Sequence, residues 1–344
     1  MGWKGTVRSI EASLRAAERE AMRRQKELER EQKEYEKMQM AAKARHEVGA
    51  YEYYREALLS IHKECSAPVN WKKIAASKAP KKPVRLAKRE NKMLLKADSY
   101  EPSFFDRLLK REAGKRKHLA DLVASAKKTD QSEHEKNLDR WRQDFKEWEE
   151  LVEIAGSLLE GVGEAKIAAI KKLEPFSKIE NLASSISFVL GGQGMVEATL
   201  KVHAKDIVPK EEKRLLKTGR VSRKQIPERK VNELFQDYVC GCVLRVANEL
   251  FSIIPDDLVV INAEDRMLNT KTGHKENACV LSVCVSRDAL KSINLSAVDP
   301  SDSINNFVHN MSFAKASGFE AVDRVHLDVQ GLSKPIVWLL TGKF

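Results

Sequence analysis

Cysteine is scarce and odd in number, with Cys65, Cys240, Cys242, Cys279 and Cys284 the only five in 344 residues. Such a scattered set offers no disulfide framework. Four of the five sit among apolar neighbours, as reduced, buried thiols do in a cytoplasmic protein. No apolar run approaches the ~20 residues that cross a bilayer, so no transmembrane segment is expected. Met1-Gly2-Trp3-Lys4 lacks the apolar stretch of a secretory signal. A phosphate-cradling glycine loop, a Walker lysine and a paired metal-ligand motif are missing as well, so no cofactor is expected.

What the chain has is charge. Apolar residues make up 42% and charged residues 32%, with a formal net charge of +11. That composition suits a folded chain of about two domains with one unusually charged part. Residues 51–100 hold twelve bases and five acids, residues 1–50 add +3, residues 101–150 balance at zero, and residues 151–344 add +1. Between Trp71 and Lys96 ten bases face one acid. An excess packed this tightly marks an interaction surface.

Four segments are expected. Residues 1–66 read as one long charged helix, coiled-coil-like. Val7, Ile10, Leu14, Ala17, Ala21, Leu28, Tyr35, Met38 and Ala42 follow an a/d track, which Arg24 and Glu31 interrupt. Alternating-sign charge on its other faces is the mark of a solvated coiled-coil helix. Met1 to Thr6 also fits the loose N-myristoylation pattern, with a short N-terminal arm as the plainer reading. Residues 67–100, with Pro68, Pro80 and Pro83, read as an exposed basic linker with a helical piece after Pro83.

Residues 101–175 read as an antiparallel helical hairpin, about 103–127 and 131–160, turning at Thr129-Asp130. In its second arm Leu138, Trp141, Phe145, Trp148, Val152, Ala155 and Leu159 keep 3-4 spacing, which marks a core face rather than a base-stacking platform. Residues 180–344 change to strand period: alternating apolar residues on both sides of Gly191-Gly192-Gln193-Gly194 predict a β-hairpin. A helix over 228–253, strands at 258–261 and 279–285, helices near 287–294 and 300–309, and strand-like pieces near 322–329 and 335–341 follow. The fold class is α+β, with a mixed or antiparallel sheet.

Gly191-Gly192-Gln193 resembles the tripeptide of peptide-release factors, but glycine between two alternating strands needs no cause beyond the turn. The element order from 228 onward resembles nucleases of the restriction-enzyme type, with Glu249, Glu264 and Asp265 as candidate carboxylates. The second strand then offers Ser282-Val283-Cys284-Val285 where an acid-x-lysine belongs. Cys240-Gly241-Cys242 on a helix points its two thiols about 200° apart, which suits core thiols and not one metal ion. His274 and His309 lack a partnering acid and nucleophile in sequence. Asp299-Pro300, ahead of Asn305, Asn306, His309 and Asn310, reads as a capped helix start.

The expectation is an elongated, cytoplasmic, non-catalytic molecule that binds nucleic acid without reading bases. Lys72, Lys73, Lys78, Lys81, Lys82, Arg85, Lys88, Arg89, Lys92 and Lys96 would neutralise phosphates, and Trp71 would stack on an unpaired base. The alternatives are an assembly or adaptor protein that docks on an acidic partner or self-associates through the N-terminal helix, and a divergent metal-dependent nuclease.

Overall fold

A computed structural model of the chain describes residues 3–104, 108–177, 179, 183–268 and 272–326. Met1 and Gly2 of the acylation pattern, and the strand-like piece expected at 335–341, lie outside the described residues. Where the sequence suggests four segments, the chain gathers into two compact units. One joins Met1–Ala67 with Glu174–Ser252 and Asp256–Phe344; the other is Pro68–Leu173 with Ile253–Pro255.

The first unit is α+β, as expected, with a mixed sheet. Strands β1 (Ser185–Leu190) and β2 (Val196–Lys201) form the hairpin, and Gly192–Gly194 makes a 3-10 turn between them. β5 (Leu258–Leu268) runs parallel to β2 and antiparallel to β6 (Lys275–Ser286), with a register shift between Ala263 and Glu264. β7 (Val308–Ala314) and β8 (Gly318–Glu320) complete the order β1-β2-β5-β6-β7-β8. Helices are numbered along the whole chain. Helix α6 (Glu228–Ile253) covers the expected span and is buried almost all round, through Val231, Leu234, Tyr238, Val243 and Leu250. Helix α7 (Arg287–Ser292) is capped by Ser286. Helix α8 (Pro300–Ser303) starts as read, with Asp299 accepting from the amides of Ser301 and Asp302. It ends early, and β7 takes the place of its expected last turn.

Helix α1 (Trp3–Leu59) is continuous, and every residue from 19 to 40 is exposed. Burial starts at Ala44 and Val48. There a two-stranded hairpin, β3 (Glu211–Leu215) and β4 (Val221–Gln225), packs on the helix. Glu47 meets Lys213 at 2.9 Å and Arg223 at 2.7 Å. Gly219, at φ +76°, approaches Ala41 so closely that a Cβ there would stand 3.1 Å from the alanine Cβ. Both strands are short and charged on each face, so neither carries the apolar alternation that reveals a strand.

In the second unit the expected helical hairpin is absent. Helix α4 (Glu112–Leu159) runs unbroken for 48 residues through Thr129 and Asp130. Thr129 Oγ1 donates to the Ser125 carbonyl, and the Asp130 carboxylate caps a different helix. The antiparallel partner of α4 is the segment before it. Ser77 meets Trp148, Pro80 meets Trp141 and Arg89 meets Asp130, so residue numbers rise on one strand of the pair as they fall on the other. Helix α2 (Trp71–Ala75) and helix α3 (Lys88–Asp98) flank that extended stretch, and α5 (Gly163–Leu173) turns back on α4 after Gly161 at φ +81°.

Candidate nucleic-acid interface

The basic segment is folded onto α4 and is no free linker. Asn70 caps α2 by accepting from the Lys73 amide at 2.9 Å. Trp71 is 7% exposed, and its indole N–H donates to the Ile253 carbonyl. The stacking role expected of Trp71 is therefore corrected: the ring serves as core and has no face to offer a base. Trp141, Phe145 and Trp148 sit 5.4 Å apart in succession along α4. Both indoles hold the extended stretch, Trp141 donating to the Pro80 carbonyl and Trp148 to Ser77 Oγ, each at 2.9 Å. Lys82 Nζ lies 5.7 Å above the Trp141 ring. The aromatic ladder is thus a clamp for the basic segment, which its 3-4 spacing alone did not reveal.

Asp130 fixes the start of α3. Its Oδ2 accepts from the amides of both Arg89 and Glu90 at 2.9 Å, and its Oδ1 meets Arg89 Nη1 at 3.2 Å. The Glu90 amide, then the Arg89 side chain and amide, hold the Asp130 carboxyl below its ordinary pKa. Arg89 also pairs with Glu133, and Arg85 with Glu90 at 2.6 Å. These two arginines spend their charge inside the unit. Lys72, Lys73, Lys78, Lys81, Lys82, Lys88, Lys92 and Lys96 are all exposed.

Folding rearranges the charge map. Residues 101–150, neutral in sum, divide into 101–128 with eight bases and four acids, and 129–150 with four bases and eight acids. The antiparallel pairing lays the bases before Arg85 beside the acidic half of α4, and brings Lys88, Lys92 and Lys96 beside its basic half. Residues 86–128, which share that end, hold twelve bases and six acids. The three lysines recur every fourth residue on α3, at steps of ~6 Å along one stripe. Phosphates of one strand follow each other at about 3.4 Å along a duplex axis, so each lysine step spans roughly two of them. Summed over residues 101–150 the split cancels, and it shows only where the two halves are counted apart.

The carboxylates considered for a nuclease are tied elsewhere. Glu249, wholly buried, meets Arg245 at 2.9 Å and accepts from the Ser66 amide at 3.1 Å. Glu264 meets Arg324 at 2.8 Å, and Asp265 accepts from the Arg266 amide. Among the described residues, no three His, Cys, Asp or Glu side chains gather as a metal site would need. Cys240 and Cys242 are buried free thiols whose pKa burial pushes up. His309 lies against the Phe307 carbonyl, and His274 is exposed in its turn. No protein-family model, curated protein or solved structure matches the chain.

Proposed function

We propose that this chain is a non-catalytic, sequence-independent nucleic-acid-binding protein whose contact surface is the basic end of the second unit. What supports the reading is the stripe Lys88, Lys92 and Lys96, exposed on a helix that Asp130 pins in place. A pre-set row of charges loses less side-chain and backbone freedom on meeting phosphates than a loose linker would. Lys72, Lys73, Lys78, Lys81 and Lys82 extend the row along the clamped stretch. Contacts of this kind carry no base information, because lysine reaching phosphate is a point charge.

The test is binding to labelled duplex and single-stranded DNA across a salt series. The intact chain is expected to show a steep fall of log K with log salt. Changing Lys88, Lys92 and Lys96 together to alanine should flatten that slope by about 3 on duplex, near 0.9 per lost phosphate contact. An unchanged slope would sink the interface.

A second reading stands beside the first and concerns α1. Leu28, Tyr35 and Met38, on the a/d track, are 59–67% exposed along a helix whose residues 19–40 are all exposed. A seam left open on one helix suits self-association into a coiled coil.

A further inference from the structure

The β3–β4 ribbon of the first unit gathers charge that the totals conceal. Residues 151–344 add only +1 in sum, yet residues 210–225, the ribbon with its turn, hold seven bases and two acids. The register sets Glu212 opposite Lys224, Lys213 opposite Arg223 and Arg214 opposite Ser222. Paired residues share a face and successive residues alternate, so the bases sort by face. Lys213 and Arg223 lie on one face and meet Glu47 of α1. Arg214 and Lys224 lie on the other. The backbone bonds of Ile226 to Lys210 and of Leu216 to Arg220 carry the ladder on, so Lys210 and Arg220 share that second face. All four of its bases are exposed. Both acids of the ribbon have partners: Glu211 accepts from Gln225 Nε2 at 2.7 Å, and Glu212 meets Arg214 at 2.8 Å. Asp206, Glu228 and Glu52 of α1 lie toward the open end, where Tyr54 Oη donates to the Ile207 carbonyl at 2.8 Å. The turn end is basic: Lys217 and Arg220 stand there, and Gly219 packs on Ala41, beside the exposed Lys43 and Arg45 of α1. Among the described residues, Lys210, Lys217, Arg220 and Lys224 form no ion pair.

On each side of the ribbon the bases of the second face recur every fourth residue, as Lys210 and Arg214 and as Arg220 and Lys224. At ~3.4 Å per residue that step is about 14 Å, or roughly four phosphates of a strand that advances about 3.4 Å per nucleotide. The hairpin ladder and the Glu47 pairs hold these charges in an extended row, and the partner that matches such a row is itself a stiff row of opposite charge. Residues 210–225 contain no aromatic side chain, so an unpaired base finds nothing there to stack on. A protein interface, for its part, is depleted of lysine. We propose that the β3–β4 ribbon is a second nucleic-acid contact, whose second face and turn meet the phosphate backbone of a duplex. The inference rests on the proposed function for the class of partner alone, since its residues lie in the other unit and none belongs to the lysine stripe of α3.

The experiment measures binding of the full chain to a short labelled duplex, and to a single strand of equal length, across a salt series. It compares the intact chain, the triple alanine variant of α3, and a variant with Lys217, Arg220 and Lys224 changed together to alanine. The ribbon variant should lower the slope of log K against log salt by about 3 on the duplex, near 0.9 per lost contact, and by less than about 1 on the single strand. Its three side chains are exposed and free of ion pairs, so its far-ultraviolet circular dichroism and melting should match those of the intact chain. Glu212→Gln acts in the opposite direction. It frees Arg214 and removes the acid of that face, and should raise duplex affinity up to about eightfold at 0.1 M salt, the effect of one added contact. Unfolding cannot produce such a gain. An unchanged slope in the ribbon variant, with the α3 variant losing its share, overturns the inference and leaves the proposed function standing. A loss in the ribbon variant alone supports the inference and removes the stripe as the interface. No duplex binding by the intact chain overturns both. An equal fall on the single strand overturns the assignment to a duplex. Polyglutamate bound as tightly as duplex, with the same dependence on Lys217, Arg220 and Lys224, assigns the ribbon to an acidic protein and overturns it too.

Discussion

His62 shows how one buried side chain sets a condition on the first unit. It is 1% exposed and follows the end of α1, where Ile61 and His62 press on Gly241 of α6. A Cβ on Gly241 would lie 3.1 Å from Ile61 Cγ2 and 3.5 Å from His62 Nδ1, so any side chain there would force Ile61 to give way by a few tenths of an ångström. Burial lowers the imidazole pKa below its ordinary 6.5, with Lys63 adding to the effect and Asp299 opposing it. The folded chain therefore holds His62 neutral, while the unfolded chain takes up a proton as pH falls below that ordinary value. The unfolded state binds more protons there, so stability decreases as the solution is acidified. The unfolding free energy of the intact chain, from urea titrations, should fall between pH 7 and pH 5.5, by at most about 1.4 kcal/mol per pH unit for the one proton. His62→Gln should remove that portion of the slope. The nearby Arg245–Glu249 pair sets a second demand: it anchors the Ser66 amide and the Ile61 carbonyl, and losing either partner leaves a buried charge alone.

At the scale of elements, signals that need only one segment were legible and signals that need two were misassigned. Helix α6 was readable to the residue because a helix buried all round writes its apolar pattern into its own sequence. The β1–β2 hairpin was readable for the same reason, since alternation on both sides of glycine is local. Thr129-Asp130 reads in sequence as the turn of a hairpin; the amides that Asp130 serves belong to Arg89 and Glu90, about forty residues back. Trp141 and Trp148 were recognised as an inward face, and their partner proved to be an extended basic stretch instead of a second helix. Nothing local distinguishes those outcomes. They separate by substitution: Thr129→Pro sits at an exposed position inside α4 and should cost about 3 kcal/mol or more, by deleting the amide bond to Ser125 and kinking the helix. A turn at Thr129 would have tolerated it. Thermal melting followed by circular dichroism decides, and the same variant should displace Asp130 and weaken the lysine stripe with it.

At the scale of the molecule, the two units divide the work suggested for them. The first unit carries α1 with its exposed a/d residues, and the second carries most of the net charge, twenty-five bases against seventeen acids over residues 68–173, or +8 of +11. If α1 is the assembly element, light scattering of the intact chain should give a mass that is a multiple of 38.9 kDa. Removing residues 1–40 should return it to a single copy without unfolding the first unit, whose buried contacts with α1 begin at Ala44. The sequence showed the seam and the charge, but hid where the charge gathers, because that depends on which half of α4 the basic segment lies against.

That placement has a consequence for approach as well as for contact. The second half of α4, from Thr129 to Leu159, bears four bases and nine acids, which the six bases of residues 68–85 beside it offset, while the end formed by residues 86–128 holds twelve bases against six acids. A body whose excess charge sits at one end carries an electric dipole, and near a polyanion it experiences a torque before it touches anything. Encounters that begin with the less basic end foremost are turned round. Rotational search, ordinarily the slow part of docking, is thereby shortened, and added salt should slow arrival by disorienting the unit even where its total charge is unchanged.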